Sequence, residues 1–153
     1  MPVLRDTPYT AFNFLVEIEP GIGRELRAGF SDVSGLNNEI TVAEYRAGNS
    51  KVNHVQKRPG VYKAGDVTLK RGIIGATDLW DWIVATREGR VSEAKRTVVV
   101  SLLAENRDDV VVRWKLQGAM PMKWTGPTLA GKGGSDMAME ELVIASEGFE
   151  FTD

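Results

Sequence analysis

The stretch Thr97-Val98-Val99-Val100-Ser101-Leu102-Leu103-Ala104-Glu105, the hinge Asn106-Arg107-Asp108, and the return Asp109-Val110-Val111-Val112-Arg113-Trp114-Lys115-Leu116-Gln117 decide the fold class. Two runs rich in β-branched residues flank three turn-forming residues, which is the pattern of an antiparallel hairpin. Val110, Val112, Trp114 and Leu116 alternate along the second arm, so one face of it is expected in a core, with Trp114 in line with the valines.

The same alternation recurs upstream. Phe12, Phe14, Val16 and Ile18 share one face and Asn13, Leu15, Glu17 and Glu19 the other. Pro20-Gly21-Ile22-Gly23 breaks that ladder, because proline removes a donor and glycine admits turn dihedrals, and an extended pattern resumes from Glu25 to Val33. The two segments read as a hairpin. Further strands fit Glu39 to Arg46 and Asp66 to Arg71, joined by a long polar connection from Ala47 to Ala64. A helix fits Thr77 to Glu88: Thr77 can cap free amides, Asp78 suits the positive N-terminus, Gly89 provides the stop, and Leu79, Trp82, Ile83 and Thr86 share a face. Trp80 and Trp82 lie about 200° apart on such a helix, so one of them must leave the buried face. Gly118 to Asp136 reads as a long flexible loop, Ala138 to Ser146 as a strand, and Phe149 and Phe151 continue an alternation to the C-terminus. The elements predict a mainly β chain: an antiparallel β-sandwich or barrel with one flanking α-helix. At 153 residues, a single domain over 1–153 is expected.

Composition excludes several function classes. With 19 basic and 21 acidic residues the formal net charge is -2, which supplies no bulk attraction to nucleic acid or anionic lipid. There is no cysteine, hence neither disulfide nor thiolate chemistry. The start Met1-Pro2-Val3-Leu4-Arg5-Asp6 has no signal-peptide core, and no segment approaches the ~20 apolar residues of a membrane span. His54 is the single histidine and no serine sits in a Gly-x-Ser-x-Gly elbow, so a serine–histidine triad has no local sign. One histidine without cysteine is a poor zinc donor set. Gly126-Pro127-Thr128-Leu129-Ala130-Gly131-Lys132 matches a phosphate-cradling loop until Gly133, which replaces the magnesium-binding hydroxyl; no convincing helix follows, and Pro127 removes a donor. No cofactor and no metal are expected. Charge is segregated: Arg46, Lys51, His54, Lys57, Arg58, Lys63 and Lys70 cluster in one region, and Glu140, Glu141, Glu147, Glu150 and Asp153 near the end. Such segregation is compatible with plain solvated surface, or with a basic loop of one copy meeting an acidic surface of another, which would set register rather than supply strength.

Nearly the whole chain resembles the tube proteins of contractile phage tails and related phage-like injection machines. The resemblance rests on Val33-Ser34-Gly35-Leu36, Glu44-Tyr45-Arg46-Ala47-Gly48, Pro59-Gly60, Leu69-Lys70-Arg71-Gly72, Trp80-Asp81-Trp82-Ile83, and Trp114 followed by Pro121 and Trp124-Thr125-Gly126-Pro127. It implies a structural subunit rather than an enzyme. Six copies would form a ring, each adding strands to a shared barrel around a channel, and rings would stack into a tube that passes DNA or protein cargo without sequence-specific binding. It further implies a contractile sheath protein, baseplate or tube-initiator proteins and a tail terminator or cap as partners, with no membrane binding by the isolated subunit. Assembly in the bacterial host cytoplasm and residence in a virion tail or extracellular injection particle would follow.

On the same resemblance the Ala47-to-Ala64 connection is an inter-subunit loop. Ser34, Gly35 and Leu36 would mark the bend beside the first shared edge; Tyr45 and Arg46 would open the inter-ring loop, with Lys51, His54, Lys57 and Arg58 along it. Pro59 and Gly60 would close it, and Arg71 and Gly72 would end the next strand, with Arg46 and Arg71 at ring or stack contacts. Alternatives are a tube-initiator paralogue, a type VI-like secreted ring protein and, from a different class, a small-ligand domain or enzyme using the loop 126–136 as a lid.

Overall fold

The computed structural model describes residues 5–19, 29–75, 77–133 and 137–152. In chain order these form β1 (Phe14–Glu19), β2 (Asp32–Ser34), β3 (Asn38–Tyr45), β4 (Gln56–Ala64), β5 (Val67–Gly72), α1 (Asp78–Arg87), α2 (Val91–Ala94), β6 (Arg96–Leu103), β7 (Val110–Thr125), β8 (Met139–Ala145) and β9 (Gly148–Thr152). The architecture is mainly β and antiparallel, as the alternation requires. Six strands run in the order β1-β6-β7-β8-β5-β2, β9 pairs with β7, and β3 and β4 pair with each other. The path ends at β1 and β2 without closing into a barrel.

The hairpin legible in the sequence is β6–β7, with Val98 opposite Leu116 and Val100 opposite Trp114. Its second arm, however, is far longer than the alternation to Gln117 suggests. β7 spans 16 residues and changes partners along its length. Its first half lies between β6 and β9, and its second half, from Met120 to Thr125, pairs with β8. The expected loop from Gly118 therefore begins as strand. Gly118 and Pro121 concealed it: they interrupt the local pattern, while pairing to β8 with a register shift between Pro121 and Lys123 restores the ladder.

Because β7 serves both halves, apolar residues from each meet in one core. Val16 and Ile18 of β1, Val98 and Val100 of β6, Leu116 and Ala119 of β7, Val67 and Leu69 of β5, and Leu142 and Ile144 of β8 are buried together with Leu79 and Trp82 of α1. The helix buries Leu79, Trp82 and Ala85. Trp82 is 1% exposed and its Nε1 donates to the Ala94 carbonyl at 2.6 Å, whereas Trp80 is 43% exposed. The 200° separation is thus resolved in favour of Trp82. Gly89, at φ 80°, ends the helix in the left-handed region that glycine occupies without strain; its N–H reaches the Thr86 carbonyl and that of Arg90 the Ala85 carbonyl. The Thr77 hydroxyl bonds to the Asp81 carboxylate, and the carboxylate of Asp78 instead accepts the Leu79 N–H at 3.0 Å. A second, short helix, α2, follows the one expected.

Three further expectations change. The extended segment ending at Val33 pairs with β5 and β1 with β6, so the two are not hairpin partners; Pro20 to Gly23 and most of Glu25 to Val33 lie outside the described residues. The connection from Ala47 to Ala64 is half strand, since β4 pairs along β3. Trp114 is half-buried against the core rather than enclosed by it.

Replacing Trp82 by Ala is expected to cost about 3–5 kcal/mol, through lost apolar burial and the cavity left behind. Trp82→Phe should cost about 1–3 kcal/mol, because the Ala94 carbonyl loses its buried donor. Urea unfolding of the two variants beside the parent chain checks both values.

Candidate functional site

β3 and β4 form an arm with little core of its own. Every residue of both strands is exposed except Ala64. Ile40, Val42, Val61 and Tyr62 are among the exposed large side chains. A two-stranded ribbon is marginal in water by itself, so order in the arm depends on its root and on what it meets. At the root the Gly65 N–H donates to the Asn37 carbonyl at 3.1 Å. Farther out, the Tyr62 hydroxyl accepts the Phe149 N–H at 2.8 Å and donates to the Phe149 carbonyl at 3.0 Å, tying β4 to β9. At the tip Arg46 turns back on its own loop, its Nε donating to the Val52 carbonyl at 3.2 Å.

The structure brings Tyr45, Arg46, Lys51, His54, Lys57, Arg58, Pro59 and Gly60 together on this arm, all exposed. Pro59 and Gly60 do not close a loop; they lie within β4, beside the register shift between Ile40 and Val42. Arg46, Lys51, Lys57, Arg58 and Lys63 outnumber Glu39 and Glu44, so the arm is basic on a chain of net charge -2. Ser34 ends β2 opposite Thr68, and Leu36 packs half-buried against the core. Gly35 adopts φ 87° with its Cα against the Asp66 carbonyl, where a side chain would collide with backbone. This bend aims the arm. Gly72 sits in β5 opposite Met139.

Arg71 is placed otherwise than expected. Its side chain is 1% exposed, so it cannot reach another subunit. It bonds instead to Glu140 of β8 and, through both terminal nitrogens, to Asp78 at the start of α1. Glu140 also accepts from Trp124 Nε1 at 3.3 Å, and Trp124 stands edge-on to Trp80 at 5.2 Å. The cluster pins the N-terminus of α1 to two strands. No local pattern announces it, because its members are 7 and 69 residues from Arg71 in the chain. The acidic C-terminal surface is correspondingly smaller than its sequence suggests: Glu140 is buried and Glu147 pairs with Lys95.

Among the described residues no group of three or more His, Asp or Glu side chains converges as a metal site. Gly126 to Gly133 is irregular and carries no helix. An apolar groove of ≈ 640 Å³ opens beside β1 and β2, lined by residues that include Phe12, Phe14, Val33, Leu36 and Trp114. Among the described residues no helix is long and apolar enough to cross a membrane.

Residues 10–150 match the family model of the T4-like virus tail tube protein gp19. The chain belongs to this tail tube protein family. A comparison with curated proteins finds no match. Among solved structures, a chain of the sheath-tube complex of an extracellular contractile injection system, PVC, in its extended state is similar with a TM-score of 0.82 and 24% identity, over 96% of this chain and 93% of that one. A chain from the tube-terminating cap of the anti-feeding prophage gives 0.81 and 24%, over 99% and 95%. Hcp1 from Flavobacterium johnsoniae shares the fold more distantly, at 0.52 and 14%, over 92% and 94%. As a tail tube family member the chain is a structural subunit of a tube; a type six secretion system protein is less similar in fold, at 0.52 and 12%, over 92% and 83%.

In this tube subunit the Arg71 cluster has a calculable consequence for pH. Burial works against the charge on Arg71, and the bonds to Asp78 and Glu140 outweigh it, raising its pKa. Burial likewise works against the Asp78 carboxylate, but the Arg71 hydrogen bond and charge hold its pKa below the ordinary value. A depressed carboxylate contributes stability that is present above its unfolded pKa and is lost as pH falls through the folded one. Unfolding midpoints should therefore drop as pH is lowered below about 4, and Asp78→Asn should flatten that dependence. Arg71→Ala should cost about 3–5 kcal/mol by leaving two carboxylates without their cation. Denaturant titrations at several pH values check all three.

Proposed function

We propose that this chain assembles into hexameric rings that stack into the inner tube of a contractile tail or injection particle, with a central channel for DNA or protein cargo. The observation that carries this reading is the arm: a basic ribbon, exposed on both faces and too slight to be ordered alone, aimed away from the core by Gly35. Docked on an adjacent copy, its apolar residues leave water, and its cations meet a body that is acidic overall. Each exposed pair contributes about 0–1 kcal/mol, so charge sets register while apolar burial holds the stack. The role is mechanical conduction and requires no catalysis and no cofactor. A contractile sheath surrounds the tube, a cap or terminator closes one end, and a baseplate or initiator ring begins the other. Assembly takes place in the bacterial host cytoplasm, and the product is a virion tail or extracellular particle.

Negative-stain microscopy over a concentration series, with light-scattering mass on the same samples, tests the reading. Rings or long hollow tubes are expected, and stacking that continues distinguishes a tube subunit from an initiator. A monodisperse monomer at high concentration would overturn it. Lys57→Glu with Arg58→Glu should raise the polymerisation threshold several-fold while the far-UV spectrum and thermal midpoint of the monomer stay unchanged.

A further inference from the structure

The arm consists of two ribbon halves joined at one irregularity. Its root half pairs Asn38 with Ala64, Glu39 with Lys63 and Ile40 with Tyr62; its distal half pairs Val42 with Pro59, Ala43 with Arg58, Glu44 with Lys57 and Tyr45 with Gln56. Between them Thr41 alone stands opposite both Gly60 and Val61, so β4 carries an extra residue there. A bulge of this kind leaves one residue unpaired and bends its strand. Pro59 has no N–H to give the ladder, which thins the bonding at the same place. Gly60 lies so close to β3 that a Cβ there would stand 2.6 Å from the Thr41 carbonyl oxygen.

The two halves are held differently. Ala64, at the base of the root half, is buried, and Gly65 beyond it lies against the Asn37 side chain while its N–H bonds to the Asn37 carbonyl. The Tyr62 hydroxyl exchanges two hydrogen bonds with the backbone of Phe149 on β9. Tyr62 belongs to the last pair before the bulge, so the root half is fastened at both of its ends. Beyond the bulge every residue of both strands is exposed. Arg46 donates to the Val52 and Ser50 carbonyls, and the Ser50 hydroxyl to that of Val52, all within the arm's own tip. The distal half is thus organised within itself, and among the described residues no hydrogen bond ties it to the body.

A structure opens first where the fewest bonds and the least burial resist. Bending the arm at its base would break the Tyr62 and Gly65 contacts and uncover Ala64. Bending it at the bulge strains only a ladder that is already interrupted, and hinges are a few residues that absorb a change in backbone angles.

We propose that the bulge at Thr41 and Gly60-Val61 is a pivot. The root half is a fixed part of the body, and the distal half, with Arg46, Lys51, Lys57 and Arg58, swings as one unit until an adjacent copy holds it. The last clause rests on the ring reading; the pivot itself is a property of the single chain. Pro59-Gly60 thereby gains a role that neither a loop closure nor a straight strand would give it.

The absence of cysteine makes site-directed spin labelling direct. Nitroxides on Ser92→Cys of α2 and Lys63→Cys report the root half, and on Ser92→Cys and Gln56→Cys the distal half; all three positions are exposed. In dilute monomer, pulsed-resonance distances should be narrowly distributed for the first pair and several-fold wider for the second. Two narrow distributions, or two equally wide ones, would overturn the pivot. Deleting Gly60 removes the extra residue and restores an unbroken register, so it should narrow the Gln56 distribution and raise the assembly threshold concentration several-fold; an unchanged width would overturn the assignment of the bulge. Tyr62→Phe should widen the Lys63 distribution, and an unchanged one would overturn the fastening of the root. In particles diluted with unlabelled chain the Gln56 distribution should become narrow. Particles that form while it stays wide would overturn capture by a neighbour, whereas failure to form any oligomer would overturn the ring reading and leave the pivot to stand or fall on the monomer distances.

Discussion

The fold depends on β7 being continuous. A strand of 16 residues is long enough to serve β6 and β9 with one half and β8 with the other. It therefore joins two sheet halves without a linker whose backbone would need separate partners. Buried peptide groups must be paired, and a single strand that changes neighbours satisfies this at the crossing point. Leu116 and Ala119, both fully buried, sit where the halves meet, and α1 packs over the same region through Trp82. Shortening β7 at Gln117 would remove the strand pairing that links β8, β5 and β2 to β6 and β1.

Polar contacts then fix the parts that apolar packing leaves free. Burial holds α1 through one stripe, but the position of its first turn comes from Arg71, which ties Asp78 to Glu140. A buried cation among carboxylates is not a strong source of net stability, and its value here is geometric: it specifies where a helix begins relative to two strands. The arm is held by less: a glycine bend at Gly35, the Gly65 N–H on the Asn37 carbonyl at its root and the Tyr62 hydroxyl on the backbone of Phe149. This division suits an assembling subunit, in which a rigid core carries surfaces whose final order is supplied by neighbours.

Much of the core was legible because it is a periodic property. Leu116, the row Val16 and Ile18, and the Leu79–Trp82 face of α1 follow from spacings of two or 3.6 residues, whereas Val110, Val112 and Trp114 of the expected row are half-buried and Val111 is buried instead. The residues of the arm lie near one another because they are contiguous in the chain, and Pro59-Gly60, which suggested a turn, lies within β4 beside a register shift. Arg71 was misread as surface for a plain reason: charge on an alternating strand looks solvated unless its partners are known, and those partners lie on α1 and β8. The second half of β7 was hidden by Gly118 and Pro121, residues that break a strand in isolation and are tolerated when a neighbouring strand accepts a register shift.

Alone, the sequence determined the β class, the longer helix α1, the absence of thiol chemistry and the family motif that marks a tube subunit. These are encoded by composition and by short-range periodicity, which survive without knowledge of any contact. Tertiary structure decided which strands are neighbours and which charges are buried. Each of those is a relation between residues far apart in the chain, and strand pairing is established through backbone groups that every residue carries alike, so side-chain order could not announce it.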